Sequence, residues 1–245
     1  MALKAREFYK KHKPYTIERH IFMKNDDRAK EMYGRILAEN SIDDVQKLEN
    51  FDLLMMRYDS AIREVRTKLE ILNDELAVTR EDSPIASITS RRKKASSIME
   101  KLVRQNNEIS LESIEKNLND IAGIRVICSF VDDIYQVAKM LVQQDDITLI
   151  EVKDYIKNPK PNGYRSFHMI VEVPVFFSNE KRPMRVEIQI RTVAMDFWAS
   201  LEHQMKYKKN IENADEIMKE LKDCADTIAE TDMKMLKIRE SIKQD

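Results

Sequence analysis

Apolar residues recur every three or four positions in two segments of this chain, but every second position in the stretch between them. An amphipathic helix requires the first spacing, which covers residues 51–76 and a segment near the C terminus. The apolar positions are Leu54, Tyr58, Ile62, Val65, Leu69, Leu72 and Leu76, then Ile217, Leu221, Cys224, Ala225, Ile228, Met235 and Ile238. Between these segments, residues 123–130 and 184–191 have the character of half-buried strands. The pattern therefore predicts an α+β protein with helices beside a sheet.

The length and charge of the chain limit its organisation. A chain of 245 residues can bury one sizeable core with helical appendages, but not several independent domains. Its 42 Lys and Arg nearly cancel its 43 Asp and Glu, which leaves a formal charge of −1. Because the surface as a whole does not demand a polyanionic partner, phosphate binding must come from local clusters of cations.

Cysteine usage and hydropathy indicate a cytoplasmic protein. Cys128 and Cys224 are far apart, have apolar flanks and lack metal-type spacing, so both are expected to be structural thiols in a reducing compartment. The first 13 residues lack the apolar run of a secretory signal. No segment reaches the length of a membrane span, so we expect no membrane partner.

Two isolated charged residues accompany the strand predicted at residues 123–130. Arg125 faces away from its apolar side, which consists of Ile124, Val126, Cys128 and Phe130. An arginine in such a run is costly unless it lies against an anion or a ring, although an edge-strand arginine that reaches solvent fits equally well. Asp120, just before the strand, either caps a turn or belongs to a site.

Polar residues occupy one whole face of the strand predicted at residues 184–191. Glu187, Gln189 and Arg191 alternate there with β-branched apolar residues. A solvated sheet face is the commoner explanation of a single strand of this kind. A functional surface requires a second strand that adds polar groups to the same face.

Such a strand is predicted at residues 164–173. Tyr164, Ser166 and His168 share one of its faces, so a ring, an imidazole and the Glu187 carboxylate can lie on a common surface. A lone histidine is more often a structural residue than a catalytic one. The spacing between Tyr164 and His168 is what favours a site.

Two groups of cations flank these strands. One lies in a loop with Pro and Gly at residues 153–164, which contains Lys153, Lys157 and Lys160. The other is predicted to open a helix after Pro84 and consists of Arg91, Arg92, Lys93, Lys94, Lys101 and Arg104, with Ser97 among them. A charge run is usually a solvated face. Two cationic clusters beside isolated carboxylates, however, suit a site for two phosphorylated ligands and a divalent ion.

Four motifs follow one another along residues 83–207. They are Asp120-Ile-Ala-Gly-Ile-Arg125, Lys153-Asp-Tyr-Ile with Pro-Lys160-Pro-Asn-Gly-Tyr164-Arg-Ser, Glu187-Ile-Gln-Ile-Arg191-Thr, and Met195-Asp-Phe-Trp-Ala-Ser-Leu-Glu-His203. In this order they resemble the synthetase motifs of the RelA/SpoT-type alarmone synthetases. Because only helices surround the module, the chain is similar to the single-domain small alarmone synthetases, and to their RelP type more than to their RelQ type.

The resemblance implies both a fold and a reaction. We predict a nucleotidyltransferase-like synthetase fold, with a mixed, mostly antiparallel sheet of about five strands flanked by helices. The implied reaction is a Mg²⁺-dependent transfer of pyrophosphate from ATP to the ribose 3′-hydroxyl of GDP or GTP, which gives ppGpp or pppGpp. The hydrolase domain of the long family members needs a His-Asp metal site, and the chain contains no His-Asp dipeptide, so hydrolysis of the product is not expected.

The resemblance also implies a role for each matching residue. Asp120 and Glu187 would ligate Mg²⁺, Glu187 would orient or deprotonate the attacking hydroxyl, and His168 would lie close to the transferred group. The ATP residues would be Arg91 and Arg125 at the adenine, with Lys93, Ser97, Lys101 and Arg104 at the phosphates. The acceptor residues would be Tyr164, stacked on guanine, and Lys153 and Lys160 at the phosphates, with Gln189 and Asp196 in supporting roles. Arg191 matches a further supporting position. Asp196 stands where some family members carry Asn.

Three regions are expected along the chain. Residues 1–50 form an N-terminal appendage of uncertain structure, residues 51–210 the synthetase domain, and residues 211–245 a C-terminal helix for packing or oligomerisation. The family resemblance suggests a homotetramer built through the terminal helices.

Two other classes of function compete with an enzyme. A catalytically silent nucleotide sensor would keep the cationic pockets and lose the carboxylates, whereas Asp120 and Glu187 are both present. An RNA-binding module would use the same cations with a series of exposed aromatic residues, which the balanced charge and sparse aromatics disfavour. We therefore expect an enzyme that requires no nucleic acid.

Overall fold

A computed structural model of the protein describes residues 42–80, 83–206 and 214–242. Contacts divide the chain into two compact units, Met1–Leu54 with Lys94–Asn117 and Met55–Lys93 with Leu118–Asp245. The elements in chain order are α1 (Ile42–Arg80), β1 (Ile85–Arg92), α2 (Ala95–Arg104), α3 (Leu111–Asn117), β2 (Ala122–Cys128), α4 (Val131–Val142), β3 (Thr148–Asp154), β4 (Phe167–Phe176), β5 (Lys181–Thr192), α5 (Val193–Lys206) and α6 (Ala214–Ile242).

The second unit contains a five-stranded sheet in the order β1-β2-β5-β4-β3. Only β2 and β5 are parallel, while the other three neighbouring pairs are antiparallel. A mixed, mostly antiparallel sheet of five strands flanked by helices is the fold predicted from the sequence, and that prediction is confirmed.

Apolar side chains from the central strands form the core of this unit. Ile124 on β2 and Ile188 and Ile190 on β5 are almost fully shielded from solvent. α4 contacts both strands, and its Ile134 and Leu141 are buried as well. Burial of side chains of this size is worth about 1.5–3 kcal/mol each, so the packed layer holds β2 and β5 in register.

The helix predicted at residues 51–76 is part of α1, and its apolar stripe is buried apart from Leu72, which is half-buried. Arg57 forms an ion pair with Glu180, and Lys68 Nζ lies 2.6 Å from Asp146 Oδ2. These contacts attach the helix to the connections between strands. α1 begins at Ile42, inside the segment assigned to the N-terminal appendage, whereas residues 1–41 lie outside the described part of the chain.

The second basic cluster was predicted to lie on a helix, and for its first members that prediction is wrong. Arg91 and Arg92 end strand β1, which pairs antiparallel with β2, and helix α2 begins only at Ala95. β1 is an edge strand with little buried surface, so its residues show no alternation of burial. A pattern based on alternation could not find it.

Two further strand boundaries differ from the prediction. Lys153 was placed in a loop but lies on β3, where it pairs with His168 of β4. Tyr164 and Ser166 were placed on a strand but precede β4, which begins at Phe167. β3 is the other edge of the sheet, and its burial pattern is irregular for the same reason as that of β1.

The predicted C-terminal helix is present as α6, and its predicted apolar stripe is only partly buried within the chain. Cys224, Met235 and Ile238 are exposed, whereas Asp232 and Leu236 are buried. Because the buried side of α6 includes the polar Asp232, it does not coincide with the side that carries the apolar residues. Cys224 is therefore an exposed thiol, while Cys128 is buried, and both are free.

The first unit contains α2 and α3, whose Ile98, Leu102 and Ile114 are buried. None of the helices in the described ranges combines the length and hydropathy needed to cross a membrane. The predicted division at residues 50 and 210 stays a prediction.

Candidate active site

The strand register gathers polar side chains on one face of the sheet. Thr89, Arg125, Gln189, His168 and Lys153 are successive partners across all five strands. Directly paired residues lie on the same face, so this row continues from one edge of the sheet to the other. We call this side of the sheet the polar face.

A neighbouring row on the same face contains the predicted metal ligand Glu187. Arg91 pairs with Gly123, which pairs with Glu187 on the parallel strand β5. Asp120 lies two residues before β2, and its Oδ2 accepts a hydrogen bond of 2.6 Å from Lys93 Nζ. Lys93, predicted to hold ATP phosphates, is thus engaged with the carboxylate in this structure.

Asp120 and Glu187 lie close enough for their charges to interact. Burial raises the pKa of Glu187, as does the charge of Asp120, but contacts with His168 and Gln189 outweigh both and hold that pKa below its ordinary value. Glu187 is therefore a carboxylate at neutral pH. The described residues contain no group of three or more His, Cys, Asp or Glu side chains placed to hold a metal, so this face offers a pair of carboxylates rather than a complete metal cage.

His168 of β4 connects Glu187 to Tyr164, which precedes that strand. His168 Nδ1 faces Glu187 Oε1 at 3.4 Å, and His168 Nε2 lies 2.8 Å from the hydroxyl of Tyr164. On the other side of the carboxylate, Gln189 Nε2 donates to Glu187 Oε2 at 3.1 Å. The predicted proximity of Tyr164, His168 and Glu187 is therefore observed.

Arg191 lies beneath this group, and its buried position was not foreseen. It donates to Tyr164 Oη at 2.6 Å, Gln189 Oε1 at 3.1 Å and Asp196 Oδ1 at 2.9 Å. The sequence indicated only its face on β5, because the partners before β4 and on α5 come from elsewhere in the chain.

An aromatic and cationic group stands beside His168. The ring of Tyr155 lies edge-on to those of Tyr164 and His168, with centroids 6.0 and 5.2 Å apart. Lys160 Nζ sits 4.7 Å from the centroid of Tyr155 and 4.9 Å from that of Tyr164. Tyr155 lies within the predicted basic loop, but nothing in its spacing marked it as part of the site. Lys153 reaches Glu151 at 3.0 Å, and that hydrogen bond raises the pKa of Lys153.

Two arginines lie on the other side of the carboxylates. Arg91 is exposed, and Arg125 Nη1 lies 3.4 Å from Asp196 Oδ1. Burial and the neighbouring Arg191 lower the pKa of Arg125, and the charge of Arg91 adds to this effect. Among the described residues, no acceptor reaches the buried Nε of Arg125, so this guanidinium retains capacity for a planar ligand.

Ser97, Lys101 and Arg104 belong to the other unit. They lie on α2 with spacings of four and three residues, which places them on one helix face, and Lys101 and Arg104 are in its last turn. Their assignment to the ATP phosphates stays a prediction.

Comparisons with known proteins agree with the motifs. Residues 90–212 match the family model described as the region found in RelA/SpoT proteins. The GTP pyrophosphokinase YwaC of Bacillus subtilis is 41% identical over 207 residues, which are 84% of this chain and 99% of the relative.

Solved structures are similar over most of the chain. The crystal structure of small alarmone synthetase 2 from B. subtilis has a TM-score of 0.71 at 41% identity and covers 78% of this chain and 99% of that one. Small alarmone synthetase 1 from B. subtilis, bound to its product pppGpp, also has a TM-score of 0.71, at 34% identity, and covers 80% and 100%.

A mixed sheet whose polar face combines paired carboxylates with cationic and aromatic side chains fits an enzyme that acts on nucleotides. The chain belongs to the RelA/SpoT family, as a small alarmone synthetase. The family membership predicted from the four motifs is thereby confirmed.

Proposed function

We propose that this chain is a GTP pyrophosphokinase, which transfers the β- and γ-phosphates of ATP as pyrophosphate to the 3′-hydroxyl of GDP or GTP and releases AMP. The observation that carries the proposal is that Glu187 interacts electrostatically with Asp120 and lies, in the strand register, between the arginines of β1 and β2 and the aromatic group around Tyr164. A donor and an acceptor nucleotide can then meet at the carboxylates.

The relatives support this reaction. YwaC is a GTP pyrophosphokinase, and the similar structure of small alarmone synthetase 1 holds pppGpp as its product. The match covers almost the whole length of both relatives, so we assign their reaction to this chain as a whole. ATP and guanine nucleotides as substrates agree with the predicted cytoplasmic location.

ATP is assigned to the arginine side of the face. The guanidinium planes of Arg91 and Arg125 are suited to enclose an adenine, since planar cations stack on rings. Lys93 Nζ lies 2.6 Å from Asp120 Oδ2, next to the place where the donor phosphates would arrive. The assignment of Ser97, Lys101 and Arg104 to those phosphates rests on the family motifs.

The acceptor is assigned to the aromatic side. Tyr164 would stack on guanine, and Lys160, now lying over the rings of Tyr155 and Tyr164, would turn to the acceptor phosphates together with Lys153. Gln189 donates a hydrogen bond to Glu187, and Asp196 accepts one from Arg191, so both residues support the acceptor side of the site.

The pair Asp120 and Glu187 fits Mg²⁺ in its chemistry. Carboxylate oxygens are the ligands that this hard ion prefers, and Mg²⁺ commonly takes one or two of them while phosphates and waters complete its shell. The mutual repulsion of the two carboxylates is what a divalent cation would relieve. When bound, Mg²⁺ would neutralise charge on the polyphosphate.

The main contribution of the protein to the reaction would be to position the two nucleotides. Two polyphosphates repel each other, so the cations of the face must neutralise and align them. Glu187, an acceptor at neutral pH, would orient or deprotonate the 3′-hydroxyl. His168 would contact the transferred group from the same side.

The test is incubation of the purified chain with labelled ATP, GDP or GTP, and Mg²⁺, followed by separation of the nucleotides. We expect labelled ppGpp or pppGpp, which is lost with EDTA and restored by Mg²⁺. Glu187→Gln should lower kcat by about 10²–10⁴-fold while ATP binding stays near normal. Glu172→Gln, on β4 and paired with Arg185 at 3.7 Å, is the matched control and should behave as wild type. Near-normal turnover of Glu187→Gln would refute its role, and absence of product from the wild type would refute the reaction.

A further inference from the structure

Arg191 differs from the other arginines on the polar face. Only 4% of its surface is exposed, whereas Arg91 is exposed and Arg125 is partly so. Four of its five N–H donors are engaged within the protein, by Tyr164, Ser166, Gln189 and Asp196. A guanidinium used in this way has little capacity left for substrate.

We propose that Arg191 is a positioning residue that fixes the direction of the hydrogen bonds reaching both oxygens of Glu187. The catalytic part of this inference rests on the proposed role of Glu187, while its structural part does not. Two arms lead from Arg191 to that carboxylate, one through Tyr164 and His168, the other through Gln189.

The first arm has one consistent polarity. A guanidinium can only donate, so the bond from Arg191 occupies a lone pair of Tyr164 Oη, and the tyrosine proton is left for His168 Nε2 at 2.8 Å. Nε2 is then the acceptor nitrogen of the imidazole, and the ring proton sits on Nδ1, which faces Glu187 Oε1 at 3.4 Å. The opposite tautomer would bring a second donor to Tyr164 Oη and turn the lone pair of Nδ1 toward a carboxylate.

The second arm follows from the same rule. Arg191 Nη2 donates to Gln189 at 3.1 Å, so the side of the amide that faces Arg191 must be its oxygen. The amide nitrogen therefore points to Glu187 Oε2, to which it donates at 3.1 Å. Without Arg191 the amide oxygen loses its donor, and only the bond to Glu187 still orients the amide.

Both arms have the same effect at Glu187. Each oxygen of the carboxylate faces a donor, so the group is held in one orientation while its remaining lone pairs stay available to the reacting hydroxyl. Partners that orient an active-site ligand typically change activity by about 10–100-fold when removed. Arg191 therefore acts on the rate through other residues and touches no substrate.

The structural part is tested without substrate. Long-range ¹H–¹⁵N correlation spectra of the imidazole rings, after histidine-selective ¹⁵N labelling, report which nitrogen of His168 carries the proton. The chain has only four histidines, and His168 is assigned by the signal missing from His168→Gln. We expect the Nδ1–H form in the wild type, and a smaller fraction of it in both Arg191→Met and Tyr164→Phe, where only Glu187 still favours it. An Nε2–H form in the wild type, or an unchanged tautomer in folded variants, would overturn the inference.

The kinetic part compares Arg191→Met and Arg191→Lys with Arg182→Met. Arg191→Met should lower kcat by about 10–100-fold and leave the KM for ATP unchanged. Lysine should not restore the rate, because a single ammonium cannot reproduce the planar fork that reaches Tyr164, Gln189 and Asp196. Arg182 lies near the start of the same strand, 3.9 Å from Glu180, so Arg182→Met should match the wild type.

The outcomes separate the possible failures. If the wild type makes alarmone but both Arg191 variants keep its kcat, only the inference about Arg191 fails. If the wild type makes none, the proposed function fails, and the tautomer still tests the hydrogen-bond direction. Should Arg191→Met not fold, Arg191→Lys and Tyr164→Phe decide the matter, since phenylalanine keeps the ring and removes only the hydroxyl.

Discussion

At the scale of single residues, Tyr164 combines two duties that substitutions can separate. Its ring is the predicted platform for guanine, and its hydroxyl links Arg191 to His168. Stacking of a base on an aromatic ring is worth about 1–3 kcal/mol. Tyr164→Ala should therefore raise the KM for GDP or GTP by about 5–150-fold in steady-state assays, while the KM for ATP stays constant. Tyr164→Phe keeps the platform and should leave the acceptor KM near that of the wild type. An unchanged acceptor KM in Tyr164→Ala would contradict stacking.

Alternation in the sequence was enough to place Glu187, Gln189 and Arg191 on one face, and the register of β5 agrees. It could not show that Arg191 is buried while Arg125, on the same face, stays partly exposed. That difference depends on contacts from Ser166 and Asp196, which lie 25 and five residues away along the chain. Local pattern therefore identified the face, and long-range packing decided the role of each cation on it.

At the scale of elements, helix α6 is tied to the start of α5 through a buried carboxylate. Thr192 Oγ1 donates to Asp232 Oδ2 at 2.6 Å and accepts from the backbone nitrogen of Met195 at 3.1 Å. Thr192 thus has the position of an N-cap for α5, the helix that carries Asp196. Burial raises the pKa of Asp232, and the bond from Thr192 only partly offsets it.

Asp232→Asn should stabilise the protein at neutral pH. The folded pKa of Asp232 lies above the unfolded value of about 3.9, so its stabilising contribution is complete below that value and is lost as the pH rises through the folded pKa. Asparagine can still accept from Thr192 without a buried charge. We expect a gain of a few degrees in Tm at pH 7, at about 2–4 °C per kcal/mol for a chain of this size, which disappears below about pH 3.9.

The control is Asp223→Asn on the exposed side of the same helix, for which Tm should not change. A lower Tm for Asp232→Asn at pH 7 would show that the charged form of the carboxylate stabilises the junction between α5 and α6. Circular dichroism melts over the pH range distinguish the two results.

The elements that escaped prediction are those with the least buried surface. β1 and β3 form the two edges of the sheet, pair on one side only, and show no regular burial along their length. The spacing of apolar residues depends on burial and not on hydrogen bonding. It therefore predicted β2 and β5, which lie inside the sheet. On α6, Asp232 occupies a buried position, although the spacing of apolar residues predicts that a polar residue lies at the surface.

At the scale of the whole molecule, the exposed part of the α6 stripe bears on the predicted homotetramer. Met235 and Ile238 are about half exposed, and Ile242 is more exposed still. Their spacings of three and four residues place them on one side of the helix. Complete burial of one such side chain is worth about 1.5–3 kcal/mol. The sequence pattern predicts that Met235 and Ile238 are contact residues, but both are exposed in a single chain. Contact with a second copy of the chain would bury them.

Light scattering coupled to size-exclusion chromatography tests this prediction. We expect the wild type to have about four times the 28.9 kDa of one chain, and Met235→Glu with Ile238→Glu to lower that mass, because a carboxylate buried without a partner is strongly unfavourable. Lys234→Glu, an exposed change of charge on the same helix, should leave the mass unaltered. A wild-type mass of a single chain would refute the tetramer. A tetramer that survives both glutamates would place its contacts elsewhere, with the exposed Val193, Phe197 and Leu201 of α5 as the next residues to replace.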